Sequence, residues 1–232
     1  MGDVGPPPRR LGVIVGLPQE AAILKRALGK AAPPIVCGGA QSAGAARAVA
    51  ELVAAGADAL LSFGFAGGLD PSLRPGDLVV GAGVVAVDSA MRASDDALSQ
   101  RLCAALDTAT CGWAAGLVAH ADQVVDSPAA KRALFARTRA LLVDMESRAA
   151  GEAGLPFAIL RAVVDPAERA LPSSALAALK PNGRIDSLTL VGGLLRRPRE
   201  IGTLLVLARD NAAARESLSR AAAAAGRAFG LV

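Results

Sequence analysis

Acidic side chains recur in this chain where apolar runs end. Glu20 follows Leu11–Leu17, Asp144, Met145 and Glu146 follow the run at Leu141–Val143, and Asp165 closes Phe157–Val164, a run that also carries Arg161. A charge inside such a run is costly to bury unless it is paired or has a task. Open α/β sheets bind their ligands at the ends of strands. Two readings stay open for each carboxylate. Asp144 and Glu146 begin a helix, where acidic residues suit the positive end of the dipole, and Asp165 before Pro166 caps a turn. Alternatively, the carboxylates converge on one ligand and move protons.

The cluster Gly64-Phe65-Ala66-Gly67-Gly68 follows a further apolar run, Ala59–Phe63. Its glycines permit close approach of backbone to a ligand. They match neither the dinucleotide-binding pattern nor the phosphate-binding loop, so the cluster reads as a tight loop closing a strand. No serine sits in the nucleophile-elbow pattern. The single histidine, His120, excludes multi-histidine zinc sites. Cys37, Cys103 and Cys111 are odd in number and lack paired spacing, which argues against a disulfide framework and for a reducing compartment.

Strands and helices must alternate to position these groups. Leu11–Leu17 reads as a buried strand, and Ala21, Leu24, Ala27 and Leu28 keep helical spacing over 19–28. A short strand at 35–37 and an Ala-rich helix at 43–55 follow. Leu78–Val87 reads as a strand with a bulge at Gly81 and Gly83. Ser94 is expected to cap a helix ending near Leu106. Trp113–Ala119 reads as a strand, and Ser127-Pro128 has the signature of a helix start. The strand at Leu141–Val143, a short helix from Glu146 to Ala153 and a strong strand over 157–164 complete the alternation. Pro198 opens a long helix with Ile201, Leu204, Leu205 and Ala208 on one stripe. The expected fold is a three-layer α/β/α sandwich around a mixed, mostly parallel sheet. It forms a single domain over residues 11–232, after a proline-rich tail at 1–10.

Composition bounds the function. The 232 residues are 53% hydrophobic and 20% charged, which excludes disorder for the whole chain. Aromatic residues make up 3%, with no tyrosine, so the stacking platforms of single-stranded nucleic-acid binders are poorly supplied. No nucleic-acid partner is expected. The net charge of +4 comes from scattered arginines rather than a basic block. No apolar run reaches the ~20 residues that a membrane span needs. The seven-residue run after Arg9-Arg10 ends at Pro18 without a cleavage site and reads as a strand rather than a leader.

Four segments together resemble the nucleoside phosphorylase and nucleosidase superfamily. Gly12–Glu20 (GVIVGLPQE) resembles its opening strand and glutamate loop, and Ser62–Val80 (SFGFAGGLDPSLRPGDLVV) its glycine loop and following strand. Val143–Ser147 (VDMES) is similar to its ribose-binding signature, and Phe157–Asp165 (FAILRAVVD) to its base-binding strand. Asp165–Pro172 (DPAERALP) and Leu194–Pro198 (LLRRP) add a resemblance to the hopanoid-associated phosphorylase family, also described as adenosylhopane nucleosidases.

The resemblance implies roles. Glu146 would hold the ribose 2′- and 3′-hydroxyls and favour a ribosyl cation. Asp165 would protonate the adenine ring, Glu20 would orient and deprotonate water, and Arg161 would hold Glu20 or an anionic nucleophile. Phe65, Ala66, Gly67, Val125 and Met145 would line the substrate, Val125 through its backbone at the base edge. Phe65 stands where nucleosidases have serine. Ser62 stands where phosphate-using members have arginine, which favours water as nucleophile and leaves phosphate as the alternative co-substrate. The segment between Glu146 and Arg161 is about four residues shorter than in relatives, close to one helical turn.

The implied activity is N-glycosidic cleavage releasing adenine from adenosylhopane to give ribosylhopane, without metal or redox cofactor. The alternatives are phosphorolysis to a ribose 1-phosphate, cleavage of a small soluble nucleoside, or a non-catalytic purine-binding protein. The resemblance further implies a cytoplasmic homodimer. Arg196, Arg197 and Arg199 beside apolar helix residues would allow peripheral contact with the inner membrane surface, where a lipid-linked nucleoside would reside.

Overall fold

The computed structural model describes residues 7–178, 180, 186, 189, 193, 196, 197 and 199–231. Eight strands occur among them: β1 (Leu11–Val15), β2 (Ile35–Cys37), β3 (Ala59–Gly68), β4 (Leu78–Ala86), β5 (Ser89–Ala93), β6 (Trp113–His120), β7 (Leu142–Asp144) and β8 (Phe157–Asp165). The helices are α1 (Pro18–Leu28), α2 (Ser42–Ala54), α3 (Asp96–Thr108), α4 (Pro128–Thr138), α5 (Ser147–Glu152), α6 (Ser173–Ala178) and α7 (Glu200–Ala228).

The strands form one mixed sheet in the order β2-β1-β3-β7-β6-β4-β5. β8 bridges β3 and β4, so β3, β7, β6, β4 and β8 close on themselves at the centre. β1–β2, β1–β3, β3–β8, β4–β6 and β6–β7 are parallel, whereas β3–β7, β4–β5 and β4–β8 are antiparallel. Leu24 of α1, Leu102 of α3 and Leu218 of α7 pack with Phe63 and Leu160 on one side of the sheet. Leu52 of α2 and Ala150 of α5 pack with Ile14 and Ile159 on the other. Both faces are thus covered, which is why β1 and β8 read as continuous apolar runs rather than alternating ones.

Three local expectations are corrected. The glycine cluster is not a loop: β3 runs through it to Gly68, held by β8 on one side and β7 on the other. The helix cap at 94–95 is Asp95, whose side chain accepts from the Leu98 N–H, and not Ser94. β5 follows β4 directly as a hairpin edge, and all five of its residues are exposed, so no apolar pattern marks it. The expected bulge in β4 is present, with the register shifting between Gly81 and Gly83. Ser127 caps α4 through the Ala130 N–H. The backbone N–H groups of Arg9 and Arg10 donate to the Asp58 carboxylate at 3.2 and 3.1 Å. Residues 1–6, most of LLRRP and the leucines at 179, 188, 190, 194 and 195 lie outside the described residues.

Candidate active site

The carboxylates come together along the last residues of β3: β8 pairs with it in parallel, bringing Asp165 opposite Gly67, and β7 runs back against it, bringing Val143 opposite the same Gly67. Glu20 lies in the first turn of α1, directly after β1. It is 2% exposed, and both its oxygens are held by backbone donors. Oε1 accepts from the Phe65 N–H at 2.7 Å and Oε2 from the Leu17 N–H at 2.7 Å. Burial raises its pKa, a shift opposed by Arg161 and by these N–H groups. The close approach of β3 depends on Gly64, where a Cβ would lie 2.4 Å from Glu20 Oε1 and 2.7 Å from an Arg161 Nη. Gly16 does the same for Glu146, whose Oε1 would sit 2.5 Å from a Cβ there.

Arg161 is fully buried beneath these groups. Its Nη2 meets Ser62 Oγ at 2.7 Å, Asp144 Oδ2 at 2.7 Å and Glu146 Oε2 at 3.3 Å. Ser147 completes the network, donating to Asp144 Oδ2 and lying 3.1 Å from Ser62 Oγ. One guanidinium therefore faces three carboxylates, Asp144, Glu146 and Glu20. That is too little positive charge for all of them. Burial, together with the neighbouring Asp144 and Glu20 charges, pushes Glu146 up to about 8 against the pull of Arg161.

Asp165 ends β8 opposite Gly67. Its carboxyl is pushed up to about 6 by burial, against the opposing charge of Lys131. Lys131 was not anticipated. It is the buried residue of α4, fully enclosed, and its Nζ is bonded to Asp165 Oδ2.

These groups open into one cavity of about 210 Å³. Glu20, Phe65, Ala66, Gly67, Val125, Met145, Glu146 and Asp165 all line it; Arg161 does not. Further wall residues that the sequence did not single out are Gln123, Val124 and Leu207, with Asp144 as a fourth carboxylate. Leu171 joins Leu207 on the apolar side. No lysine or arginine lines the cavity among the described residues. His120 stands apart, with Nε2 3.2 Å from Asp122 and 3.5 Å from Ser42.

The fold and this cavity define an α/β protein with an acidic site at the strand ends. The chain belongs to the phosphorylase superfamily, whose family model matches residues 27–185. Glu20 precedes the matched segment. No curated protein matches the sequence. Solved structures share the fold. The 5′-methylthioadenosine/S-adenosylhomocysteine nucleosidase of Helicobacter pylori superposes with a TM-score of 0.66 at 15% identity, covering 95% of this chain and 96% of that one. Native futalosine hydrolase of the same organism gives 0.64 at 17% identity, covering 81% and 97%. The nucleosidase of Colwellia psychrerythraea in complex with adenine gives 0.62 at 24% identity, covering 80% and 95%.

Proposed function

We propose that the protein hydrolyses the N-glycosidic bond of an adenine nucleoside carrying an apolar 5′ substituent, adenosylhopane being the substrate that the sequence resemblance implies. The observation that carries this reading is the meeting of Glu20, Glu146 and Asp165 in one cavity. Breaking the bond needs a proton on the leaving base and a stabilised cation at C1′, the same demands met by paired carboxylates in glycoside hydrolysis. Structural neighbours named as nucleosidases, one holding adenine, support a purine as leaving group.

In this mechanism Asp165 passes its proton to an adenine ring nitrogen. The C1′–N bond breaks and its electron pair leaves with the base. Glu146, in its ionised form, accepts hydrogen bonds from the ribose 2′- and 3′-hydroxyls and offsets the positive charge at C1′, a neighbouring cation that in turn favours that form. Glu20, held by two N–H groups, takes the proton of the water that attacks C1′. Solvent then returns a proton to Asp165 and removes one from Glu20.

Water is favoured over phosphate by charge. The cavity wall presents four carboxyl groups, of which Asp165 must be protonated to act as the acid, and the described wall has no cation. Arg161 is enclosed and already committed to Ser62, Asp144 and Glu146. A phosphate dianion would meet repulsion without a compensating partner.

Leu171 and Leu207 support an apolar 5′ group, since both line the cavity from segments beyond β8. The same end of α7 exposes Ile201 (47%), Leu205 (68%) and Val206 (42%), next to exposed Arg196 and Arg199. No helix among the described residues is long and apolar enough to cross a membrane. Peripheral contact with an anionic membrane through this helix end is part of the proposal, as is a homodimer, checked by light scattering in solution. The deciding experiment incubates the protein with adenosine derivatives, with and without phosphate, and reads free adenine and the sugar product. Free ribose products without phosphate support hydrolysis. A sugar 1-phosphate requiring phosphate replaces it with phosphorolysis, and binding without turnover leaves a purine-binding protein.

A further inference from the structure

Lys131 is among the largest fully buried side chains in the protein, yet it does not line the cavity. A buried ammonium is retained only where its donors are satisfied. Here Nζ donates to Asp165 Oδ2, to the Pro166 carbonyl at 2.9 Å and to the Arg169 carbonyl at 3.3 Å, with the Asp165 carbonyl at 3.5 Å. It therefore grips both the carboxyl of Asp165 and the backbone that leaves β8. Asp165 Oδ1 has no bonded protein partner among the described residues.

We propose that Lys131 is the positioning residue of the leaving-group acid. It ties up Oδ2 of Asp165, leaves Oδ1 to carry the acidic proton, and stabilises the carboxylate that remains once the proton has gone to the base. The proposal rests on the nucleosidase reading given above. The bond changes are those of the leaving-group step: Oδ1–H breaks, N–H of the base forms, the C1′–N pair departs with the base, and the new negative charge spreads to Oδ2 beside Nζ. A neutral residue at 131 would leave that charge buried and unpaired.

The other charged group acting on Asp165 is Arg169, from the segment after β8, which is itself paired with Asp210 of α7. Gly67 of β3 and Val143 of β7 bring no charge to the carboxyl. Lys131 is thus the dominant cation, and its removal has a signed consequence. Activity that needs protonated Asp165 is lost as pH rises through its titration. An opposite charge at contact lowers a carboxyl pKa by roughly 1–3 units. Lys131→Met should therefore move the alkaline limb of kcat/KM upward by about one unit or more, while the plateau rate falls. A role confined to packing would lower the amount of folded enzyme without moving that limb, and an unmoved limb overturns the proposal.

A second measurement needs no change at position 131. In the unmutated enzyme the 15Nζ resonance of Lys131 should shift as the pH crosses the titration of Asp165, and the shift should vanish in Asp165→Asn. An ammonium resonance indifferent to that titration also overturns the proposal, even where Lys131→Met fails to fold. If the unmutated enzyme releases no adenine, the functional reading fails, and the resonance still decides the coupling on its own.

Discussion

Three of the four carboxylates in the cavity have different sets of neighbours, and the proposed roles separate accordingly. Asp165 faces a lysine across one oxygen, Glu20 two backbone N–H groups, and Glu146 an over-committed guanidinium. Asp165→Asn keeps size and hydrogen bonding while removing the proton. Adenine release should fall at least about a hundredfold, the lower range for a positioned acid; near-normal turnover of the folded variant would take Asp165 out of the mechanism. Glu146→Gln should impair substrates with intact 2′- and 3′-hydroxyls most, because an amide accepts less well than a carboxylate. Glu20→Gln should slow every substrate alike. Kinetics on adenosine and its 2′- and 3′-deoxy forms separates the two, and matching profiles would merge the roles. Glu146 also predicts a stability trend. Its folded pKa lies above its unfolded one, so its contribution is complete below about 4.5 and is lost as pH rises through about 8. At pH 8 the unliganded Glu146→Gln variant should melt higher than the parent by about 2–4 °C, the equivalent of ~1 kcal/mol in a chain of this size. A lower melting temperature there would contradict the burial account.

At the scale of elements, the site depends on how closely β3 passes α1 and β8. Gly64 pairs with Arg161 in the parallel register and lies against Glu20. Gly64→Ala would force a methyl into both charged groups. Displacing the base and the guanidinium together should cost on the order of a hundredfold or more in kcat, since small misplacements of catalytic groups are that expensive. Circular dichroism should show an intact fold; undiminished turnover would mean that Glu20 has room to move. Much of this frame was legible in advance. β1 and β8 are buried on both faces, so they stand out as apolar runs, interrupted in β8 by the charged Arg161, with Glu20 shortly after the first and Asp165 closing the second. β5 was illegible because it is an exposed edge held only by pairing with β4. The glycines of β3 look like a turn because sequence reports flexibility, whereas the structure uses them for closeness. Lys131 left no signal either. A lysine on a helix ordinarily solvates, and only the Asp165 carboxylate and the carbonyls that follow β8 hold this one inward. Asp144 and Glu146 carried both meanings: Glu146 does precede α5, but its carboxylate faces the cavity and Arg161 rather than capping the helix.

On the scale of the whole molecule, the question is what the cavity opens towards. Its polar end, at Glu20 and Glu146, suits a ribose, and the described part of its other wall is aliphatic, with Leu171 arriving from beyond β8 and Leu207 from α7. The first turns of α7 carry exposed Ile201, Leu205 and Val206, while burial on that helix begins at Asp210. A helix end so apolar gains nothing from water. Each CH₂ taken out of water contributes roughly 0.8 kcal/mol, and each arginine near an anionic surface about 1 kcal/mol. A 5′-alkyl chain following Leu171 and Leu207 outward would therefore improve catalysis with length. We expect kcat/KM to rise from adenosine through a short 5′-alkyl adenosine to a long one. Leu207→Asp should erase most of that gain while sparing adenosine itself. Vesicles containing phosphatidylglycerol should retain the parent protein at low salt, and Leu205→Asp should release it. Catalytic efficiency indifferent to the 5′ chain would remove the lipid from the substrate and leave a small nucleoside, with the exposed face of α7 to be assigned another partner.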